Sequence, residues 1–316
     1  LVLHGNGHSV RLWGPFPDYV EEMRKRQENV RFLPGLPLPD GLALTSDMAA
    51  AVDGAELIVL AAPSQYLRGV LDQLAVVGVG AETIITNVAK GIEVGTLLRM
   101  SEVVEDRLGR VRYAVLSGPS HAEEVARGIP TAVVAASRDA SIYEAVQEAF
   151  SNDFLRVYSS YDVTGVELGG ALKNVLALAA GVCDGMGFGD NTKAAMMTRG
   201  IREMARLGEA LGGRAETFGG LSGVGDLIVT CMSRHSRNRH VGEQLGRGRS
   251  LAEIIEEMDG KVAEGVATAQ SAYQLAQRHH VETPIIEQIH AALYEGRDPR
   301  EAVRALMSRT GKPEIL

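Results

Sequence analysis

Short, almost wholly apolar runs alternate with amphipathic stretches through the first half of this 316-residue chain, and the alternation stops near residue 160. Val10–Trp13, Glu56–Ala61, Thr83–Val88, Tyr113–Leu116, Thr131–Ala135 and Leu155–Tyr158 read as strands. Helical patterns lie between them at Asp18–Arg26, Gln65–Leu74 and Ala140–Phe150. A strand that is apolar on both faces must be covered on both sides. The pattern therefore predicts a doubly wound α/β domain with a parallel sheet. Beyond it, Val163–Cys183, Lys193–Leu211, Leu251–Met258, Ala267–His279, Pro284–Tyr294 and Pro299–Arg309 all read as helices. Ser250 with Glu253 forms a capping box, and Pro284 and Pro299 suit first-turn positions. The expected division is a sheet domain over residues 1–160 and an all-helical domain over 161–316, because a chain of this length exceeds what one core usually serves.

Composition removes several classes of function. The net charge of −8 argues against nucleic acid as a partner, and an anionic ligand would need a local cluster of Lys and Arg. No uninterrupted apolar run reaches the roughly 20 residues that span a bilayer, and no secretory layout opens the chain. The two cysteines, Cys183 and Cys231, have no ligand spacing, which implies a reducing, cytoplasmic setting. The scattered histidines show no metal-binding spacing, and Ser120 lacks a nucleophile elbow.

A dinucleotide-binding sheet normally opens with a strand, a G-x-G-x-x-G turn and a helix. Here Leu1–His8 reads L-V-L-H-G-N-G-H, and Gly5 and Gly7 suit a helix stop and a turn. The expected first strand and its glycine loop are missing from the sequence.

Ligands of open α/β sheets bind beyond the carboxyl ends of the strands. Three predicted strands run into small residues there: Ala62-Pro63-Ser64, Ala89-Lys90-Gly91 and Ser117-Gly118-Pro119-Ser120. Lys90 is the charged member and the natural contact for an anion. Ser120, with Glu123 three residues on, is expected to cap the next helix.

Gly165–Gly181 is a long apolar helix pattern in which Lys173 is the sole basic residue. Gly169 and Gly170 share its face, at a cost of roughly 1 kcal/mol each relative to alanine. That cost makes sense where a ligand or another backbone must come close. An apolar setting lowers a lysine's pKa towards useful acid/base chemistry, although a lysine that snorkels to solvent is the alternative. Gly223-Val224-Gly225-Asp226 reads as a glycine-punctuated turn. Ser236-Arg237-Asn238-Arg239 is either a phosphate-binding cluster or a solvated basic loop.

Seven segments in this order resemble the bacterial-type NAD(P)-dependent glycerol-3-phosphate dehydrogenases. They are A-K-G at 89–91, L-S-G-P-S-H-A-E-E at 116–124, G-V-E-L-G-G-A-L-K-N at 165–174, G-D-N-T-K-A-A at 189–195, G-V-G-D-L at 223–227, S-R-N-R at 236–239 and V-A-E-G-V at 262–266. The resemblance implies Lys173 as the proton-transferring residue. It implies substrate contacts at Lys90, Gly118, Ser120, Lys173, Asp226, Ser236, Arg237 and Asn238. Cofactor contacts are implied at Lys90, Ala122, Arg237, Val262 and Glu264, with NAD or NADP as cofactor. The implied reaction interconverts sn-glycerol 3-phosphate and dihydroxyacetone phosphate, in support of phospholipid synthesis, and the resemblance is compatible with a homodimer. The sequence departs from the family after Val10–Trp13, where Gly14-Pro15-Phe16-Pro17 replaces the usual basic residue. Neither proline nor phenylalanine has a side chain that can pair with a 2′-phosphate, so NAD is at least as well supported as NADP. Asp18 suits a ribose hydroxyl and a helix start equally. Two competing readings are a non-catalytic binding protein and a 3-hydroxyacid-type dehydrogenase with a lysine base.

Overall fold

The computed structural model describes residues 1–258, 262–311, 313 and 314. Its strands are β1 (Arg11–Trp13), β2 (Ala43–Thr45), β3 (Leu57–Leu60), β4 (Ile84–Asn87), β5 (Arg112–Ser117), β6 (Thr131–Ala136) and β7 (Leu155–Ser160). All but β2 fall on the predicted apolar runs. The three residues of β2 are flanked by turn formers, Pro39-Asp40-Gly41 and Ser46-Asp47, which mask them. Val2–Gly5 is a helical turn followed by Gly7 at φ +88°, as the opening glycines suggest.

β3 to β7 form one sheet in sequential order, and β1 pairs with β2 in a separate parallel ribbon. Among the described residues β1 therefore pairs on one side only, and so does β3. The expected all-parallel sheet needs one correction: β6 runs antiparallel to β5, with Val115 opposite Ala136. The link from β5 to β6 carries a single helical turn, Ala122–Val125, and does not return the chain along the sheet. β6 and β7 are parallel, joined across the Ala140–Phe150 helix.

Alternate residues of the strands bury opposite faces. Ile84, Leu116, Val133 and Val157 pack against Ile142, Val146 and Phe150 on one face. Leu60 and Ile85 pack against Leu67, Leu71, Met100 and Val103 on the other. Val115 and Val134 meet Val163 and Val166, where the sheet abuts the start of the longest apolar helix.

That helix, Val163–Gly185, is the core of the second half and is here termed the central helix. By length and composition it could cross a bilayer, but its apolar window is buried inside the protein. The helices Asp190–Ala210, Asp226–Met232, Arg237–Gly246, Glu264–Arg278 and Pro284–Tyr294 surround it. Two buried carboxylates pin its first turns. Asp162 caps it, accepting from Gly165 N at 2.8 Å, Arg214 N at 2.9 Å and Thr217 Oγ1 at 2.6 Å. Glu167 accepts from Arg99 Nη1 at 2.7 Å, Ser101 N at 2.8 Å, Ser101 Oγ at 2.7 Å and Tyr113 OH at 2.7 Å. The second set ties the helix to the sheet and fixes where residue 173 falls.

Candidate active site

Lys173 lies on the central helix two turns beyond Glu167, with its side chain 7% exposed. Its Nζ donates to Thr230 Oγ1 at 2.7 Å and lies 2.9 Å from Asp226 Oδ1. Lys173 is thus a buried, paired lysine and not a snorkelling one. Lys90 leaves the end of β4 and donates from Nζ to the other oxygen of Asp226 at 2.6 Å and to Gly118 O at 2.8 Å. Two ammonium groups therefore share one buried carboxylate. With both protonated, the cluster carries one positive charge, which suits an anionic substrate in a chain of net negative charge.

The glycines beside Lys173 make this approach possible. A Cβ on Gly169 would lie 2.7 Å from Ser222 O, and one on Gly170 would lie 2.8 Å from Ser117 Oγ and 3.3 Å from Lys90 Cγ. Gly169 lets the backbone before Asp226 close on the helix, and Gly170 lets the Lys90 stem pass. That backbone is not the turn the sequence suggested. Leu221–Gly225 is a π-helical turn that runs directly into the Asp226–Met232 helix. Asp226 opens that helix, and Thr230, one turn on, shares its face. Read as a helix start, Asp226 would have exposed Thr230 in the sequence.

Electrostatics separate the two partners. Burial pulls the Lys173 ammonium below its ordinary range; Asp226 opposes this and Lys90 adds to it. Burial works to raise Asp226, but the two lysines outweigh it and hold the carboxylate below its usual range.

The remaining expected residues fall around this centre. Ser120 does not cap the following helix. Its Oγ donates to Gly118 O at 3.1 Å, and His121 is the N-cap residue, with no side-chain capping bond. Gly118 sits at φ +140°, where a Cβ would meet the β6 backbone at 3.0 Å. Ser236 caps the Arg237–Gly246 helix by accepting from Arg239 N at 3.1 Å, so S-R-N-R is a helix start and not a solvated loop. Arg239 is held by Asp184 at 2.7 Å, whereas Arg237 lies exposed. Asn238 joins a chain of amides: Asn174 donates to Lys90 O at 3.2 Å, Asn238 donates to Asn174 Oδ1 at 2.9 Å, and Gly265 N donates to Asn238 Oδ1 at 2.8 Å.

Glu264 spans the two halves. It accepts from Ser64 N at 2.9 Å and from Ser64 Oγ at 2.6 Å, at the exit of β3. Burial pushes its carboxyl up, against those hydrogen bonds and the charges of Arg237 and Lys173. Val262 is half-buried beside it, next to residues 259–261, which lie outside the described set; Ala122 is exposed. The residues present fit the nicotinamide end of a dinucleotide laid along this edge. Gly91 leaves room where a Cβ would collide with Ser64, and Ser117 Oγ is buried without a partner. Among the described residues no glycine-rich turn forms a pyrophosphate cradle. Sequence reasoning assigned no role to Thr230 or His121, because only tertiary contact brings them here; it placed Ser64 at a ligand-binding edge but did not foresee its bond to Glu264.

The family model for the N-terminus of NAD-dependent glycerol-3-phosphate dehydrogenase matches residues 1–143, and that for its C-terminus matches residues 162–304. The chain belongs to the NAD-dependent glycerol-3-phosphate dehydrogenase family. It is 49% identical to a glycerol-3-phosphate dehydrogenase (NAD(P)+) of Chlorobium phaeobacteroides, over all of this chain and 95% of that one. It is 52% identical to the same enzyme of Syntrophotalea carbinolica, over 99% and 95%. The crystal structure of glycerol-3-phosphate dehydrogenase from Coxiella burnetii superposes with a TM-score of 0.93 at 40% identity, covering 98% of this chain and 94% of that one. Family membership makes this chain a nicotinamide-dependent oxidoreductase with the expected two-part fold.

Proposed function

We propose that this chain interconverts sn-glycerol 3-phosphate and dihydroxyacetone phosphate with NAD or NADP, and that Lys173 moves the proton. The observation that carries this reading is the buried Lys173 Nζ, held between Asp226 and Thr230 with Lys90 on the far carboxylate oxygen. When bound, the nicotinamide supplies or takes the hydride at substrate C2. In reduction, charge builds on the C2 oxygen, and the Lys173 ammonium stabilises and then protonates it. In oxidation, neutral Lys173 takes the hydroxyl proton. Asp226 holds that ammonium in place, and burial moves the lysine pKa down, in the direction that eases loss of its proton. Lys90, Gly118, Ser120, Asp226, Ser236, Arg237 and Asn238 surround the phosphorylated substrate. Lys90, Ala122, Arg237, Val262 and Glu264 meet the cofactor, with a division into cofactor and substrate domains near residue 160. The proposed setting is the cytoplasm, with glycerol 3-phosphate passing to phospholipid synthesis and the chain acting as a homodimer.

The test is dihydroxyacetone-phosphate-dependent oxidation of NADH and NADPH. It uses this chain and a chimera preceded by the N-terminal residues of the Chlorobium relative. Turnover in either form is expected, and Lys173→Met should lower it by about 10³-fold or more with the fold intact by circular dichroism. Binding of substrate without turnover in both forms would instead favour a non-catalytic binding protein. Near-normal activity in Lys173→Met would overturn the assignment of the proton.

A further inference from the structure

His121 stands between Ser120 and Ala122, on the loop that leaves β5, and the scheme above gives it no task. Its imidazole lies between two charged regions. On one side is the reacting centre. Lys173 on the central helix, Asp226 on the Asp226–Met232 helix, Lys90 on the loop after β4 and Glu123 on its own short helix all act on its titration. On the other side is the ring of His235, 6.3 Å away between centroids and tilted by 53°. His235 belongs to the loop before Ser236. With Arg234, Ser236, Arg237 and His240 it lines a hollow of about 320 Å³. Glu257, the carboxylate in that wall, is already paired with Arg249 at 2.6 Å. Among the described residues the wall of the hollow is therefore cationic, and the His121 ring lies behind it against His235.

The Nε2 of His121 is buried and has no hydrogen-bond partner. Folded proteins leave few buried polar atoms in that condition, and each calls for a partner the protein itself does not supply. Burial, followed by the Lys173 charge, keeps the imidazole on the neutral side; Asp226 and Glu123 oppose this. A dianion in the hollow would shift that balance towards imidazolium.

We propose that His121 is a further substrate-binding residue, whose Nε2–H donates a hydrogen bond to the phosphate monoester between the Lys173 centre and the Arg237 hollow. The proposal rests on the reading of the substrate as a phosphorylated triol or triose. Binding of the ester then takes up a proton at His121. Affinity rises as pH falls through the imidazole titration, and the reacting proton is still moved by Lys173. His121 thus governs KM and leaves kcat nearly alone.

Two measurements test this separately from the activity. The His121 ring proton, assigned by difference from His121→Phe, is titrated by NMR in the full chain alone, with sn-glycerol 3-phosphate, and with glycerol as the phosphate-free control. The phosphate ester should raise the midpoint by about one pH unit or more, and glycerol should leave it in place. A midpoint unmoved by the ester overturns the proposal, even if the enzyme turns over normally. A raised midpoint in a protein without turnover supports His121 and counts against the dehydrogenase reading. In kinetics, His121→Phe should raise KM for dihydroxyacetone phosphate about tenfold with kcat within about twofold. It should also remove one ionisation from the pH profile of kcat/KM, while the titration of the phosphate itself remains. His121→Gln keeps a donor and should recover most of the affinity without that ionisation. A loss confined to kcat would move His121 to the proton-transfer step and overturn its role as a phosphate ligand.

Discussion

Two of the carboxylates buried in the helical half, Asp226 and Glu203, are alike in exposure and shifted in opposite directions from the ordinary carboxyl value. Asp226 lies between two lysine ammonium groups and is held ionised below the usual carboxylate range. Glu203 lies at the other end of the domain and accepts from Ile285 N at 2.9 Å and 3.0 Å and from Ile286 N at 3.2 Å, at the start of the Pro284–Tyr294 helix. Burial pushes it up to about 7 against those two N–H groups and the more distant charges of Arg206 and Arg309. Backbone dipoles at a helix start satisfy a carboxylate's hydrogen bonds but do not replace a counter-charge taken out of water. The contrast separates a carboxylate that holds lysine ammonium groups from one that fastens a helix.

The largest effect is expected where the counter-charge is removed. Asp226→Asn leaves one buried and one half-buried ammonium group facing an amide. Breaking one side of a buried ion pair typically costs about 3–5 kcal/mol, and here two cations lose the same partner. The Lys173 pKa should fall further, because the charge that opposes its burial is gone. Thermal unfolding should show the lost stability, and kcat/KM should drop by about 10²-fold or more. A variant as stable as the parent would mean that Asp226 is not the counter-charge that stabilises the buried Lys173.

Glu203→Gln should produce a smaller effect with a distinctive pH signature. The ordinary value of the unfolded glutamate is 4.5, and the folded value is about 7. Between them the native state binds more protons than the unfolded state. Stability is therefore fully present below 4.5 and is lost as pH rises through 7, by up to about 3 kcal/mol at this site. Asp226 runs the other way: its depressed value contributes stability above its unfolded titration and loses it on acidification. Urea unfolding of parent and Glu203→Gln from pH 4 to pH 8 should show the variant with a flatter stability curve over the 4.5–7 window. Parallel curves would show that Glu203 is ionised throughout and that the helix start alone suffices.

This contrast was only half visible in the sequence. Asp226 stood out because glycines surround it, yet G-V-G-D reads as a turn by composition. Gly223 instead packs against the backbone of Phe218, where a Cβ would collide, and the segment becomes a helical turn. Glu203 is one acid in a charged helix, and nothing local distinguishes it from Glu209, which is exposed. The strands were legible because continuous apolar runs have one stable use. Their direction was not, since the antiparallel β6 depends on the path of the chain from Ser117 to Thr131. Lys173 was legible as a single cation in an apolar helix. His121 was not, because its interest comes from His235 and Lys173, far away in sequence.

A third carboxylate sharpens the comparison with the smallest expected change. Glu264 resembles Glu203 in its partners: the hydrogen bonds it accepts come from neutral groups, Ser64 N and Ser64 Oγ, and burial raises it. It resembles Asp226 in its place, since it joins the β3 exit to the helical half beside the reacting centre. If partners decide the outcome, Glu264→Gln keeps an acceptor for Ser64 and should change little. Thermal stability near neutral pH should stay within about 1 kcal/mol of the parent, and NADH affinity by fluorescence should change by less than about threefold. Glu264→Ala, which leaves the Ser64 donors buried and unpaired, should cost about 1–3 kcal/mol and loosen the cofactor edge. If place decides, the glutamine variant will behave like Asp226→Asn. The negative charge itself would then be needed opposite Arg237 and Lys173, whose charges already act on it. Comparing the glutamine and alanine variants at pH 6 and pH 8 separates the two, because only a required charge makes the glutamine variant progressively worse as the parent carboxyl ionises.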